Sequence, residues 1–171
     1  MASLWVVKDA LIRQMVERII NENEAEFWHL KTAKIALVWV VPDMKKSGRI
    51  ALATAQKTNP LLELFSQYDF VIKLSRDHWE SNLSEAEQES VMVHELRHCG
   101  VKYNRGGCPI YADGAAVPCD EDGKYCPGEF KLAYCIVPHD CEIFLADFGT
   151  DLPGIERVQH RAQQVFEFAK G

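Results

Sequence analysis

Apolar residues recur along the chain with two different periods, and these periods predict its helices and strands. In residues 8–21 and 155–170 they lie three and four positions apart, as they do on one face of a helix. Other segments are rich in β-branched and aromatic residues, which predicts strands at residues 34–41, 70–74 and 131–137 and a weaker one at residues 49–55.

The order of these segments, without an internal repeat, predicts an α+β fold. We expect a sheet of three or four strands packed against a central helix, with further helices at the N- and C-terminal ends. The chain has 171 residues, of which 47% are hydrophobic, and this suits a single domain spanning residues 1–171. An insert rich in Cys, Gly and Pro at about residues 100–130 separates the central helix from the last predicted strand.

The run His94-Glu95-Leu96-Arg97-His98 lies within the predicted central helix. Ser81 or Ser84 can cap the start of this helix, and Glu87 would complete a capping box with Ser84. At helical spacing the two histidines lie one turn apart on the same face, close enough for both imidazoles to bind one Zn²⁺. Glu95 lies beside them, where its carboxylate can accept a proton from a metal-bound water. The run therefore predicts a small zincin-like domain with a catalytic zinc site.

A catalytic zinc site usually has three protein ligands, and the sequence offers two candidates for the third. His139 and Glu142 begin the apolar stretch 139–148 and lie about one helical turn apart. His139 is favoured as the ligand. Asp140 or Glu142 would then orient an imidazole ligand without binding the metal. The rival is a two-His, one-Glu site in which Glu142 binds the metal. The remaining histidines lack a partner at metal-binding spacing and are interpreted as surface or interfacial residues: His29, His78 and His160.

Five features occur in a characteristic order between residues 68 and 149. They are a strand at residues 69–72, Trp79, a Leu-Ser-Glu helix entry at Leu83, the run from His94 to His98, and a His-Asp-x-Glu-x-Phe stretch at residues 139–144. In these features the chain resembles the phage metallopeptidase family, which is similar in turn to the SprT-like zinc proteases. The resemblance implies zinc at His94, His98 and His139, with Glu95 as the catalytic base. The long segment before His139 departs from the family pattern.

The expected reaction is hydrolysis of a peptide bond by a zinc-activated water, with Glu95 as general base. The reaction also needs a donor for the developing oxyanion, and four residues are candidates: Tyr103, Tyr134, Arg157 and His160. A protein or peptide substrate could lie in extended form along an edge strand beside the site. That strand would be either residues 70–74 or the strand before it.

The six cysteines raise the question of a second metal site. Four lie in or next to the insert, and in a reducing cytoplasm they could bind a structural Zn²⁺ that holds a polar loop together: Cys108, Cys119, Cys126 and Cys135. The set contains no Cys-x-x-Cys pair, so free or buried thiols are the alternative. Cys99 and Cys141 flank the proposed ligands and are interpreted as packing residues.

Charge and hydropathy restrict the expected partners and location. The net charge of −6 argues against a nonspecific nucleic-acid binder, which would normally have a basic face. The longest apolar run, residues 35–41, is much shorter than the ~20 residues that span a bilayer, and the N-terminus has no signal-peptide pattern. We therefore expect a soluble protein of the cytoplasm, that of the host cell if the protein is encoded by a phage. The sequence leaves the oligomeric state open.

Two other functions are compatible with the same histidine pair. The zinc could be structural, with Cys99 or Cys141 as a fourth ligand, in a non-catalytic phage protein that binds and modulates a host factor. Glu95 favours catalysis, because a structural site has no use for a base beside the metal. The second alternative is a peptidase directed at DNA-bound proteins, against which the acidic composition weighs.

Overall fold

The computed structural model describes residues 2–42, 44–46 and 49–138. Within them the chain forms five α-helices: α1 (Ala10–Glu22), α2 (Glu24–Phe27), α3 (Pro60–Ser66), α4 (Arg76–Asn82) and α5 (Glu85–His98). A 3-10 helix, Trp28–Leu30, follows α2. The strands are β1 (Ser3–Val6), β2 (Ile35–Val41), β3 (Met44–Lys46), β4 (Arg49–Ala51), β5 (Ala53–Lys57), β6 (Phe70–Ser75), β7 (Cys99–Val101) and β8 (Tyr134–Ile136). The architecture is α+β, as the sequence predicts.

Four strands form the main sheet in the order β1-β2-β6-β5. The central pair, β2 and β6, is parallel, and both outer strands run antiparallel to their neighbours. Two smaller sheets flank it, the β3–β4 hairpin and the antiparallel pair β7–β8. The mixed sheet therefore has a parallel centre, and β5 lies at one end of the strand order.

The sheet differs from the prediction at three points. Residues 49–55 form not one strand but two, β4 and β5, which belong to different sheets and are separated by the buried residue Leu52. The strand at residues 70–74 is β6, which is hydrogen-bonded to neighbours on both sides and cannot accept a further strand. Strand β1 has no counterpart in the prediction. Its partner residues in β2 lie more than 30 positions away along the chain, so no local signal marks the pairing.

Helices α1 and α5 each bury one apolar stripe in the core. The predicted helix at residues 8–21 is confirmed as α1, which begins after the N-cap Asp9 and buries five side chains: Ile12, Met15, Val16, Ile19 and Ile20. On α5 a stripe of Val91, Met92 and Leu96 has no exposed surface at all. Burying each such side chain stabilises the fold by about 1.5–3 kcal/mol, which fixes α5 in rotation about its axis.

The insert is attached to the core at a few positions, and most of its other residues are exposed. It runs through a series of turns and isolated antiparallel bridges, and Val117 and Leu132 are buried in the main core. Tyr125 lies against Trp28 with ring centroids 5.0 Å apart. Aromatic and aliphatic contacts therefore attach the insert to the core. The structural zinc that the insert cysteines suggest stays a prediction.

Two predicted helical stretches, residues 139–148 and 155–170, lie outside the described residues. Among the helices that the structure describes, none is both long and apolar enough to cross a membrane.

Candidate metal centre

Helix α5 begins as its sequence predicts. Ser84 is the N-cap, and its Oγ accepts a hydrogen bond from the backbone N–H of Glu87 at 3.4 Å. The Glu87 carboxylate in turn accepts from the backbone N–H of Ser84 at 2.8 Å, so both halves of the capping box are present. With the start fixed by this box and one face fixed in the core, the positions of the histidines on α5 are determined.

Three side chains converge on α5. The imidazole centroids of His94 and His98 are 5.0 Å apart, with an angle of 82° between the ring planes. One ligand atom each from His94, Glu95 and His98 lie within 4.8 Å of one another. Among the described residues this is the one group of three or more His, Cys, Asp or Glu side chains that converges in this way. Both histidines are partly exposed, whereas Glu95 is only 4% exposed.

The ring of His98 is oriented by a backbone carbonyl. Its Nδ1 lies 2.9 Å from the carbonyl oxygen of Val137. A carbonyl can only accept, so Nδ1 carries the proton and the lone pair of the neutral ring is on Nε2. This is the contact that commonly fixes the tautomer of a metal-binding histidine. The backbone N–H of Val137 donates to the carbonyl of His98 at 2.8 Å, so the two residues are joined twice.

Gly100 allows β8 to approach the end of α5. Helix α5 passes directly into β7, where Gly100 pairs with Cys135. A Cβ atom on Gly100 would lie 2.3 Å from Cγ2 of Val137, a distance at which one residue must move. The glycine therefore permits the close approach that brings the Val137 carbonyl to His98.

His29 supports the same end of α5. Its Nε2 donates to the carbonyl of Cys99 at 2.7 Å, and the ring is half-buried beside Trp28. Burial lowers the pKa of His29 below its ordinary value of 6.5, against the smaller opposing effects of the Cys99 hydrogen bond and the Glu26 charge. The interpretation of His29 as a surface or interfacial residue misses this contact, because nothing in the sequence marks a backbone acceptor.

Replacing His29 should change how stability depends on pH. The unfolded chain binds a proton on His29 near pH 6.5 and the folded chain only at lower pH, so the free energy of unfolding falls as pH drops below 6.5. A His29→Gln variant can still donate to Cys99 but cannot titrate, and should lose part of this slope. Urea unfolding of metal-free protein between pH 8 and 5 measures the effect, with His78→Gln as control. Equal slopes in wild type and His29→Gln would contradict the assignment.

The other predicted residues do not join the group on α5 in the described structure. Tyr134 is 3% exposed, its hydroxyl donates to the carbonyl of His29 at 3.3 Å, and burial raises its pKa. Tyr103 is 55% exposed. The donor atoms of the four insert cysteines do not converge with one another or with other ligand types into a group of three. Cys119 and Cys126 are exposed, near the tip of a turn in which Cys119 pairs with Tyr125.

Several expected site residues lie outside the described part of the chain. They are His139, Asp140, Cys141, Glu142, Arg157 and His160. The described structure ends one residue before His139, next to the hydrogen bonds between Val137 and His98.

The fold and this group define a class: an α+β protein with a candidate metal centre on one helix. Comparison with protein families gives a particular assignment. The chain matches the family described as Putative phage metallopeptidase over residues 5–165 and belongs to that family. Neither functionally characterised proteins nor solved structures give a significant match. The family description implies a metal and a protein or peptide substrate, in agreement with the resemblance found in the sequence.

Proposed function

We propose that this chain is a zinc-dependent metallopeptidase whose active site is the group on α5. The observation that carries the proposal is the convergence of His94, Glu95 and His98 within 4.8 Å, in a chain that belongs to a metallopeptidase family. In this reading β5 and α5 form the zincin-like core of the fold.

The residues fit zinc. Two imidazoles one helical turn apart are a common donor pair for Zn²⁺, and the Val137 carbonyl leaves Nε2 of His98 as the ligand atom. Zinc bound here would act as a Lewis acid that polarises the scissile carbonyl and lowers the pKa of a coordinated water. His94 and His98 would each contribute one nitrogen.

The third ligand proposed is His139. Consecutive Cα atoms are 3.8 Å apart, so the Cα of His139 lies within ~8 Å of that of Val137. Val137 is hydrogen-bonded to both the backbone and the ring of His98. This short connection supports a position near the histidine pair, with Asp140 and Glu142 available to orient a ring. Glu142 is the alternative ligand. It lies three residues further along the chain than His139, so the contact at Val137 restricts its position less.

Glu95 is assigned the role of general base. Its carboxylate lies among the ligand atoms and is almost fully buried, which holds it in place at low cost in entropy. In hydrolysis it would accept a proton from the attacking water and return that proton to the amine nitrogen of the leaving peptide.

Strand β5 is the proposed binding edge for an extended substrate. It ends the strand order of the main sheet and packs against α5. Its Gln56 and Lys57 side chains are exposed. A peptide aligned along this edge could bind through backbone hydrogen bonds, so little specificity for side chains would be required.

The alternative of a closed structural site is weakened at Cys99. Its Sγ donates to the carbonyl of Glu95 at 3.6 Å, and the side chain is 1% exposed. Burial raises the pKa of Cys99, and its sulfur is not among the ligand atoms that converge on α5 in the described structure. Cys141, the other candidate for a fourth ligand, lies outside the described residues.

Substitutions at positions 139 and 142 test the third ligand. If His139 binds zinc, His139→Ala leaves two protein ligands and should release the metal. Glu142→Gln should then weaken zinc affinity by only ~10- to 100-fold, as expected for a residue that orients a ligand. Zinc content after dialysis against a weak chelator measures both effects, with His160→Ala as the control. Loss of zinc from the Glu142 variant together with its retention in the His139 variant would place the protein in the two-His, one-Glu class.

A further inference from the structure

The main sheet has two faces with different surroundings. Side chains alternate along each strand, so Leu37 and Trp39 of β2 point to the face that carries the core, and the residues between them point to the opposite face. The register places five apolar side chains together on the part of that opposite face formed by β1, β2 and the start of β6, which we call the outer sheet face: Leu4, Val6, Ala36, Val38 and Val71. Toward β5 the same side of the sheet carries polar side chains, Lys73, Thr54 and Gln56.

The outer sheet face is only partly covered. At one end the β3–β4 hairpin lies over it, where Met44 donates its N–H to Ser75 Oγ at 3.3 Å and Val40 is 4% exposed. Away from the hairpin, Leu4 and Val6 are 56% and 58% exposed. Ala36, Val38 and Val71 are partly exposed. Exposed apolar side chains grouped in this way mark an interaction surface.

The sequence of strand β2 indicates that the layer covering the outer sheet face is part of the same fold. All seven of its residues are apolar, Ile-Ala-Leu-Val-Trp-Val-Val, and it pairs in parallel with β6. Strands of parallel pairs with continuous apolar sequences are normally buried on both faces. Helices α1, α4 and α5 contribute to the core on the inner face. The composition of β2 therefore predicts a second apolar layer on the outer sheet face.

The longer of the two predicted helical stretches outside the described structure is suited to form that layer. Apart from residues 1, 43 and 47–48, the part of the chain outside the described structure is residues 139–171. Within it, residues 155–170 place six apolar side chains on one stripe at helical spacing: Ile155, Val158, Ala162, Val165, Phe166 and Ala169. We propose that residues 155–170 form an amphipathic helix that packs this stripe on the outer sheet face of the same chain.

The dimensions agree with this arrangement. A helix of sixteen residues is ~24 Å long. Strands of six or seven residues, such as β2 and β6, are ~20–23 Å long. The seventeen residue steps from Pro138 to Ile155 can span as much as ~55 Å when extended, so the connection does not limit where the helix docks.

Docking would also fix the segment between the helix and the metal centre. Residues 139–154 are attached at one end through Val137, which is hydrogen-bonded to His98. A docked helix would attach their other end. This consequence for His139 rests on the proposed function, whereas the docking itself does not.

Amide hydrogen exchange of the full metal-free chain tests the proposal. A sixteen-residue helix without tertiary contacts is marginal in water, so amides in residues 155–170 should be protected at least ~100-fold only if the helix is docked.

Val6→Asp adds a charge to the outer sheet face, and Val165→Asp adds one to the stripe without changing the sheet. Each should reduce protection in residues 155–170 by ~10-fold or more while that of α1 is retained. Two matched controls should have little effect: Leu61→Asp on α3, where Leu61 is 67% exposed, and Gln164→Asp on the polar side of the predicted helix.

Three results would overturn the proposal. The first is exchange of residues 155–170 at the rate of an unfolded peptide in the wild-type chain. The second is loss of protection in Leu61→Asp but not in Val6→Asp, which would place the segment on α3. The third is protection that falls on dilution together with a dimer in size-exclusion chromatography, which would assign the outer sheet face to a second copy. None of these readouts depends on zinc or on hydrolysis.

Discussion

A Glu95→Gln variant should bind zinc as the wild type does and hydrolyse peptides at least ~100-fold more slowly. The amide is nearly the same size as the carboxylate, so the packing around this buried side chain should be preserved. It cannot accept a proton from the attacking water, and this is the step that the proposal assigns to Glu95. The rate with an unstructured protein substrate and the zinc content of the same preparation are the two measurements.

Glu89→Gln is the matched control for this prediction. Glu89 lies on the same helix, and its carboxylate is 2.8 Å from Arg18 in an exposed ion pair, a kind of contact that contributes little to stability. The control should retain both zinc and activity. Wild-type activity in Glu95→Gln would remove Glu95 from the mechanism, whereas equal losses in both variants would indicate a general effect on the helix.

The second large effect is expected from the histidine pair. His94→Ala or His98→Ala should reduce zinc from about one per chain to almost none after dialysis, because each variant removes a direct ligand. Hydrolysis should be lost with the metal. The melting temperature of the zinc-treated protein should fall to that of the metal-free wild type, since a metal that binds only the folded chain stabilises it.

His78→Ala controls for the general effect of removing an imidazole. His78 lies on α4 at the protein surface, and its Nδ1 is 2.8 Å from the side-chain amide of Asn82. This variant should retain its zinc. Zinc content that is unchanged in both His94→Ala and His98→Ala would show that the pair does not form the site.

Local signals explain why α5 and its candidate site could be predicted from the sequence. The capping box at Ser84 and Glu87 lies within four residues, and the apolar stripe and the histidine pair follow helical spacing. None of these features depends on a distant part of the chain. The same holds for α1, and for β2 and β6, whose β-branched residues mark them as strands.

The structural features that could not be predicted from the sequence depend on contacts between residues far apart along the chain. The carbonyl of Val137 has no side-chain signature, and it reaches His98 only because the register of β7 and β8 places it there. The partner of β1 is equally distant along the chain. The separation of residues 49–55 into β4 and β5 depends on which sheet each half joins, and the intrinsic strand propensity of the segment contains no such information.

The most direct test of the central claim is the rate of peptide hydrolysis by one preparation in three states: as purified, after removal of metal by a chelator, and after addition of one equivalent of zinc. We expect about one zinc per purified chain, loss of activity on chelation, and recovery with zinc in the wild type but not in Glu95→Gln. Full activity in the metal-free chain, or equal recovery in Glu95→Gln, would contradict the claim.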